Sequence, residues 1–371
     1  MLLLKLLFTL SSPLLVFAFP QTEPALNVTA SCTITDYNQV ASVVSSCTNI
    51  VINNLRVPAN KKLLLNLREG TTLTFRGTTS FDVGTLDDWL ITISGNRINV
   101  IGEKGSLIHG HGELYWDGQG GSGGRTKSKL LEINNVNNAK FQNINLKNCP
   151  MFCTGITRAT DLTIDWWRAD CSDGDKRGGR NTDGIGISWS KNVHISNVFI
   201  HNQDQCLYVN QGSNMFFNKI HCVNSNGICA TAGFSRTSYE ENTTKNISFH
   251  NCVMEGGLTG AQIIAMANGG PGEITDISFN NIVFKGVRQQ GIYIQMDYGN
   301  NGHPNNNIAV QNIRYNKISG TVEPNARAVY IICGAKCKNV ELSGIGISGS
   351  KVPNSCNIQP RGFKCKNNYD V

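Results

Sequence analysis

Asp183 and Asp204 stand 21 residues apart, in Asn181-Thr182-Asp183-Gly184 and Gln203-Asp204-Gln205-Cys206. Carboxyl groups paired at short range are what glycoside hydrolysis uses: one protonates the departing oxygen and the other manages the attacking water. The pair can work only if the chain brings it together. A solenoid would do so, because equivalent positions on neighbouring coils stack about 4.8 Å apart. The next coil would then present Asn226 on the same outer face, and the one after it Gln262 and Ile264. The plainer alternative makes Asp183 a turn residue before Gly184 and Asp204 a surface acid before a structural cysteine.

The surrounding sequence supports the solenoid. The octet at 139–146 is echoed at 193–200, 247–254, 277–284, 308–315 and 340–347, with weaker copies at 162–169 and 215–222. Successive copies start roughly 21 to 32 residues apart, a spacing of solenoid repeats. Each copy alternates apolar and polar, turns at Asn or Gly, and alternates again, which reads as strand, bend, strand. Asparagine tolerates the left-handed backbone that such bends require, and its amide can bond from coil to coil. The leucine spacing of helix-containing repeats is absent. Parallel strands joined by crossovers are almost always right-handed. The expected fold is all-β, a single-domain right-handed parallel β-helix over residues 19–371.

A solenoid needs its ends covered. Residues 28–48 predict an N-terminal cap, with Asp36 N-capping a short helix that buries Val40, Val43 and Val44. The cysteine-rich tail, 333–371, would close the far end.

Residues 1–18 read as a signal peptide: Lys5 in an apolar run, then Val16-Phe17-Ala18. Ser11-Ser12-Pro13 interrupts the run, which is barely long enough to span a bilayer. Secretion without a membrane anchor is therefore expected. Thirteen cysteines in a secreted chain imply disulfides and one thiol left over. Close pairs are Cys32/Cys47, Cys206/Cys222, Cys333/Cys337 and Cys356/Cys365; Cys149, Cys153, Cys171, Cys229 and Cys252 have no evident pairing. N-glycan acceptor sequences occur at Asn27, Asn242 and Asn246.

The formal net charge of +7 suits an acidic polymer or simply solvated lysines. No nucleic-acid-binding motif is present. His109-Gly110-His111 resembles a metal pair without an evident third ligand, so neither metal nor cofactor is expected. Gly118 to Gly124 reads as a flexible loop and Asp173-Gly174-Asp175 as a solvated turn. Lys176, Arg177 and Arg180 precede the acids and are placed to touch an acidic glycan or water alone.

Taken together, Asn-Thr-Asp-Gly at 181–184, Asn-Gln-Asp-x-Cys at 202–206, Trp116-Asp117-Gly118 and Asp297-Tyr298 after Ile-Tyr-Ile-Gln resemble the polygalacturonases of glycoside hydrolase family 28. So does the cysteine spacing. The likeness covers almost all of the mature chain and is closest to endo-acting members from fungi and plant-feeding insects. It implies the β-helix, homogalacturonan as substrate and hydrolysis with inversion. It places Asp204 at the general acid and Asp183 among the groups holding the water, with Asn181 and Tyr298 on the substrate-binding surface.

Four positions depart from that pattern. Gln205 replaces a second Asp. Asn226, four residues after Cys222, replaces a His, and Gln262 and Ile264 replace the Arg and Lys that would bind galacturonate carboxylates. Gln205 can hold water but cannot take its proton. Losing a like charge beside Asp204 should also lower its proton affinity, the wrong direction for a general acid. Asn226 offers no imidazole chemistry. The loss of Arg and Lys forfeits charge-assisted bonds, about twice as strong as neutral ones. The expectation is a secreted, monomeric pseudoenzyme that binds pectin, oligogalacturonides or a plant polygalacturonase-inhibiting protein. The alternatives are a working hydrolase of homogalacturonan or of an altered pectic glycan, and a purely structural solenoid.

Overall fold

The computed structural model describes residues 32–300 and 302–365. Residues 1–18 and Asn27 lie outside them. The alternating octets form strands, and the strand pairings are parallel throughout, each strand meeting the equivalent strand of the next coil. The chain winds as a right-handed parallel β-helix with a short helical N-terminal cap, as the repeats predict.

Registration is strict. One inward column runs Ile164, Ile195, Phe217, Phe249, Phe279, Tyr315 and Leu342, paired coil to coil. Its rings stack at centroid distances of 4.9 Å (Phe217–Phe249), 5.0 Å (Phe249–Phe279) and 4.7 Å (Phe279–Tyr315). These large side chains are fully buried. A stack of aromatic rings removes much apolar area from water and locks the register, because a one-residue slip would turn the column outward.

The bends are built by a second column. Asn192, Asn214, Asn246, Asp276, Asn312 and Asn339 all take φ between 54° and 59°. Each amide reaches back to the preceding coil: Asn214 Nδ2 donates to Asn192 Oδ1 at 3.2 Å and Asn246 Nδ2 to Asn214 Oδ1 at 2.8 Å. Asn339 Nδ2 donates to Asn312 Oδ1 at 3.0 Å. Asparagine supplies both the left-handed backbone and the bond between coils.

At the N-terminal end, Asp36 accepts a hydrogen bond from the Asn38 N–H. The short 3-10 turn that follows runs into the helix Val40–Ser46, whose Val40, Val43 and Val44 face the first coil. Cys32–Cys47 fastens this cap. At the far end, strand Ser355–Cys356 pairs with Arg327–Ile332, and Ile358 and Phe363 pack on the core.

The four close cysteine pairs are bonded as the spacing suggests: Cys32–Cys47, Cys206–Cys222, Cys333–Cys337 and Cys356–Cys365. Cys149–Cys153, which the sequence left unpaired, forms a fifth bridge. Three thiols rather than one remain free: Cys171 and Cys252, buried in the coil interior, and Cys229, buried against the outer face.

Asn242 is not placed as a glycan acceptor. It is fully buried, its Oδ1 accepting the N–H groups of Gly233 (3.1 Å) and Ser235 (3.0 Å). Its Nδ2 donates to the Ser235 and Pro271 carbonyls at 2.8 and 3.0 Å. The amide nitrogen that would carry a sugar is sealed from solvent inside a closed loop. Asn246 is exposed on the bend column.

Candidate functional site

Strands Ile185–Ser188, Leu207–Val209, Ile228–Ala232 and Thr259–Met266 lie side by side on one face of the solenoid. Ile185, Leu207 and Ile228 are in register, and two residues before them stand Asp183, Gln205 and Asn226. Gln205, not Asp204, is therefore the coil equivalent of Asp183. The fold brings together at this face every residue selected from sequence for catalysis or substrate binding.

Cys222, the residue from which Asn226 is counted in sequence, is not on that face. It belongs to the strand Gly212–Val223, in register between Ile200 and Met254, and is buried inside the coil. Alternation turns its side chain inward, where it meets Cys206. The bridge therefore lies behind the cleft, tying the residue after Gln205 to the interior.

A hollow of about 460 Å³ opens on the outer face, lined by Asn181, Asp183, Asp204, Gln205, Ile264 and Tyr298 among others. Asn226 and Gln262 do not line it but bond to groups that do. Asp204 Oδ2 accepts from Asn181 Nδ2 at 2.8 Å. Asp204 Oδ1 accepts from the Gln205 N–H at 2.8 Å and from Asn226 Nδ2 at 3.3 Å. Gln262 Nε2 donates to Gln205 Oε1 at 3.0 Å and also to the Asn226 carbonyl. Gln205, Asn226 and Gln262 thus form one network of neutral amides beside Asp204.

Asp183 is buried, and its Oδ1 has no protein hydrogen-bond partner. Burial pushes its carboxyl well above the usual range, and the nearby Asp204 charge adds to this; the Tyr208 hydroxyl opposes it by donating a hydrogen bond. Burial also raises Asp204, against the bonds from Gln205, Asn181 and Asn226 and the charge of Arg180. The sequence argument that Asp204 falls for want of a neighbouring charge is thus outweighed by desolvation.

Sequence reasoning missed Tyr208, which reaches Asp183 because Gly186 lies beneath its ring; a Cβ there would sit 2.5 Å from the Tyr208 hydroxyl. The alternation Leu207-Tyr208-Val209, with its two aliphatics buried, was the available signal. It also missed Phe152, Phe234 and Met266, which come from separate loops and coils.

Other motifs take more definite roles than expected. Asp175 is no bare turn: it accepts from Gln203 Nε2 and Asn224 Nδ2, each at 2.8 Å, and pairs with His201 Nε2 at 2.7 Å. These bonds hold its carboxyl below the ordinary range although burial works the other way. The glycine loop is tied down, since Asp117 accepts from the Gln119 and Arg125 N–H groups and from Lys127 Nζ. Asn181 Oδ1 accepts from the Gly121 N–H at 3.0 Å, linking that loop to Asp204. His109 and His111 do have an acidic neighbour, Glu113, whose Oε1 lies 3.2 Å from His111 Nδ1.

With that geometry in view, comparison with known proteins is direct. Residues 47–365 match the model of the glycosyl hydrolases family 28. A polygalacturonase of Phaedon cochleariae is 36% identical over 346 residues, covering 91% of this chain and 94% of that protein. Endopolygalacturonase I of Aspergillus niger is 33% identical over 341 residues, 91% of each. Endopolygalacturonase I from Stereum purpureum, solved with two galacturonates, superposes with a TM-score of 0.81 at 25% identity over 91% of this chain and 99% of that one. The chain belongs to glycosyl hydrolases family 28, as a polygalacturonase-family protein.

Proposed function

We propose that this protein is a secreted, monomeric member of the polygalacturonase family that holds a pectic chain in its cleft without hydrolysing it. One observation carries the reading: Gln262 Nε2 bonds to Gln205 Oε1, and Asn226 and Asn181 both donate to Asp204. The first bond occupies the oxygen with which Gln205 would orient a water. The others favour the ionised form of a group that must carry a proton to act as the acid. Asp183 and Asp204 remain as ligand-contacting acids, with Asn181, Ile264 and Tyr298 beside them. The loss of several members of one catalytic unit typically costs about 10²-fold or more, and such losses do not simply add.

Secretion rests on the apolar N-terminus and the five disulfides, and among the described residues Asn246 is the exposed glycan acceptor beside the sequence's Asn27. A plant protein that inhibits active relatives is a second partner, since it would read the outer surface that remains after chemistry is lost. The competing reading, a working hydrolase, draws support from the raised carboxyls of Asp183 and Asp204. The test is purified protein with polygalacturonic acid over days, counting new reducing ends against heat-killed protein. No increase is expected. An increase that disappears in Asp204→Asn would establish hydrolysis and end the proposal.

A further inference from the structure

The cleft contains two carboxyl groups, and among the described residues no Lys, Arg or His lines it. Two cations stand beside it rather than in its lining. Arg180 acts on Asp204 through its charge, and Lys129 Nζ lies 5.8 Å from the centroids of the Trp89 and Phe152 rings. A galacturonate carboxylate entering the hollow would be desolvated beside acids, with no cation among the lining residues to pair it.

What the hollow offers instead is apolar surface and hydrogen-bond acceptors. Phe152, Phe234, Ile264, Met266 and Tyr298 form its walls. Asp183 Oδ1, Asn210 Oδ1 and Thr231 Oγ1 are buried at its floor without a protein partner. The Asn210 amide oxygen can only accept, and the Asp183 and Thr231 oxygens can accept as well, so the floor has room for donors. Sugar hydroxyls donate and a carboxylate does not. A carboxyl masked as its methyl ester carries no charge, and its methyl group suits the Ile264–Met266–Phe234 wall.

From this chemistry we infer that the cleft selects methyl-esterified galacturonan over the free polyacid. The inference rests on the reading that the cleft holds a pectic chain, and it names the form of that chain. Ile264 is the residue that sets the preference. It occupies a buried strand position in register with Thr231 on one side and Gln295 on the other, so its side chain meets the ligand from a fixed frame. Phe234 is the exposed edge of the same wall.

The experiment is calorimetric titration of the whole protein with two probes, a galacturonic acid hexamer and the same hexamer methyl-esterified, each at low and at physiological salt. The ester should bind about tenfold more tightly or better, as expected for a site that lacks charge-assisted partners. Its affinity should change little with salt, since no ion pair is screened. Ile264→Lys should reverse the order of the two probes. Phe234→Ala, at a loop position outside the strands, should weaken the ester alone and covers the case in which the lysine variant does not fold. Equal affinities, or tighter binding of the acid, would overturn the ester preference while leaving a pectin-binding cleft in place. Failure of both probes to bind would remove the cleft reading and the preference together. Reducing ends counted in the same samples keep turnover from passing as binding.

Discussion

Asp183 is an ionisable group held where its charge is disfavoured: buried, beside a second carboxyl, with one oxygen lacking a protein donor. Its folded-state proton affinity lies above that of the unfolded chain. A group shifted in this direction supports folding fully below its unfolded pKa, and that support is lost as pH rises through the folded value. The native protein therefore carries an electrostatic strain at neutral pH that an uncharged isostere relieves. Asp183→Asn should melt a few degrees higher than the parent at pH 7–8, the two converging below about pH 4 where the parent carboxyl is protonated in both states. Thermal scans across that range check it. A gap that is constant with pH would show that the gain is not ionic. The same position is a poor candidate for tuning binding without side effects, because Tyr208 depends on it for its hydroxyl partner.

Among the elements, loops are closed by buried amides as much as by strands. Asn242 gathers four backbone groups, and removing its side chain leaves donors and acceptors unpaired in a dry interior. Asn242→Ala should cost about 2–4 kcal/mol, read from denaturant unfolding, since each stranded buried polar group costs about 1–3 kcal/mol. The strands and bends were legible in the sequence because their determinants are local: alternation sets the faces, and asparagine marks the left-handed corners. The acids were legible because they lie in short runs at coil spacing. The Cys206–Cys222 bridge was legible too, since its partners lie 16 residues apart, but that Cys222 points away from the cleft follows only from the strand that carries it. Asn242 was not legible, since its sequon says nothing of the partners at Gly233, Ser235 and Pro271. The walls of the cleft were equally hidden. Phe152, Phe234 and Met266 share no motif with Asp183, and only the winding of the chain brings them to one hollow. Glu113 stood two residues from His111, but its approach to the imidazole depends on the left-handed turn at His111, with φ of 55°.

The molecule as a whole is a stack whose exposed ends are its weak points. Cys32–Cys47 and the helix Val40–Ser46 cover the first coil, and the tail held by Cys356–Cys365 covers the last. A chain beginning at Thr48 would present the strand Asn49–Asn53 and the underside of the first coil to water. It should self-associate in a concentration-dependent way, measurable by light scattering, while the parent stays monomeric. Monomeric behaviour of the shortened chain would mean that the remaining coils protect their own edge. Stacking has one more consequence, seen in the rung-by-rung register of the cleft strands. Asp183, Gln205 and Asn226 sit on outward rungs whose backbones are held by neighbours above and below, and by a core that none of their side chains enters. Such a surface behaves like movable type at Gln205 and Asn226, where a letter can be exchanged without disturbing the frame, whereas Asp183 is tied to Tyr208. A cleft on such a frame could change what it does through a series of folded, viable neighbours.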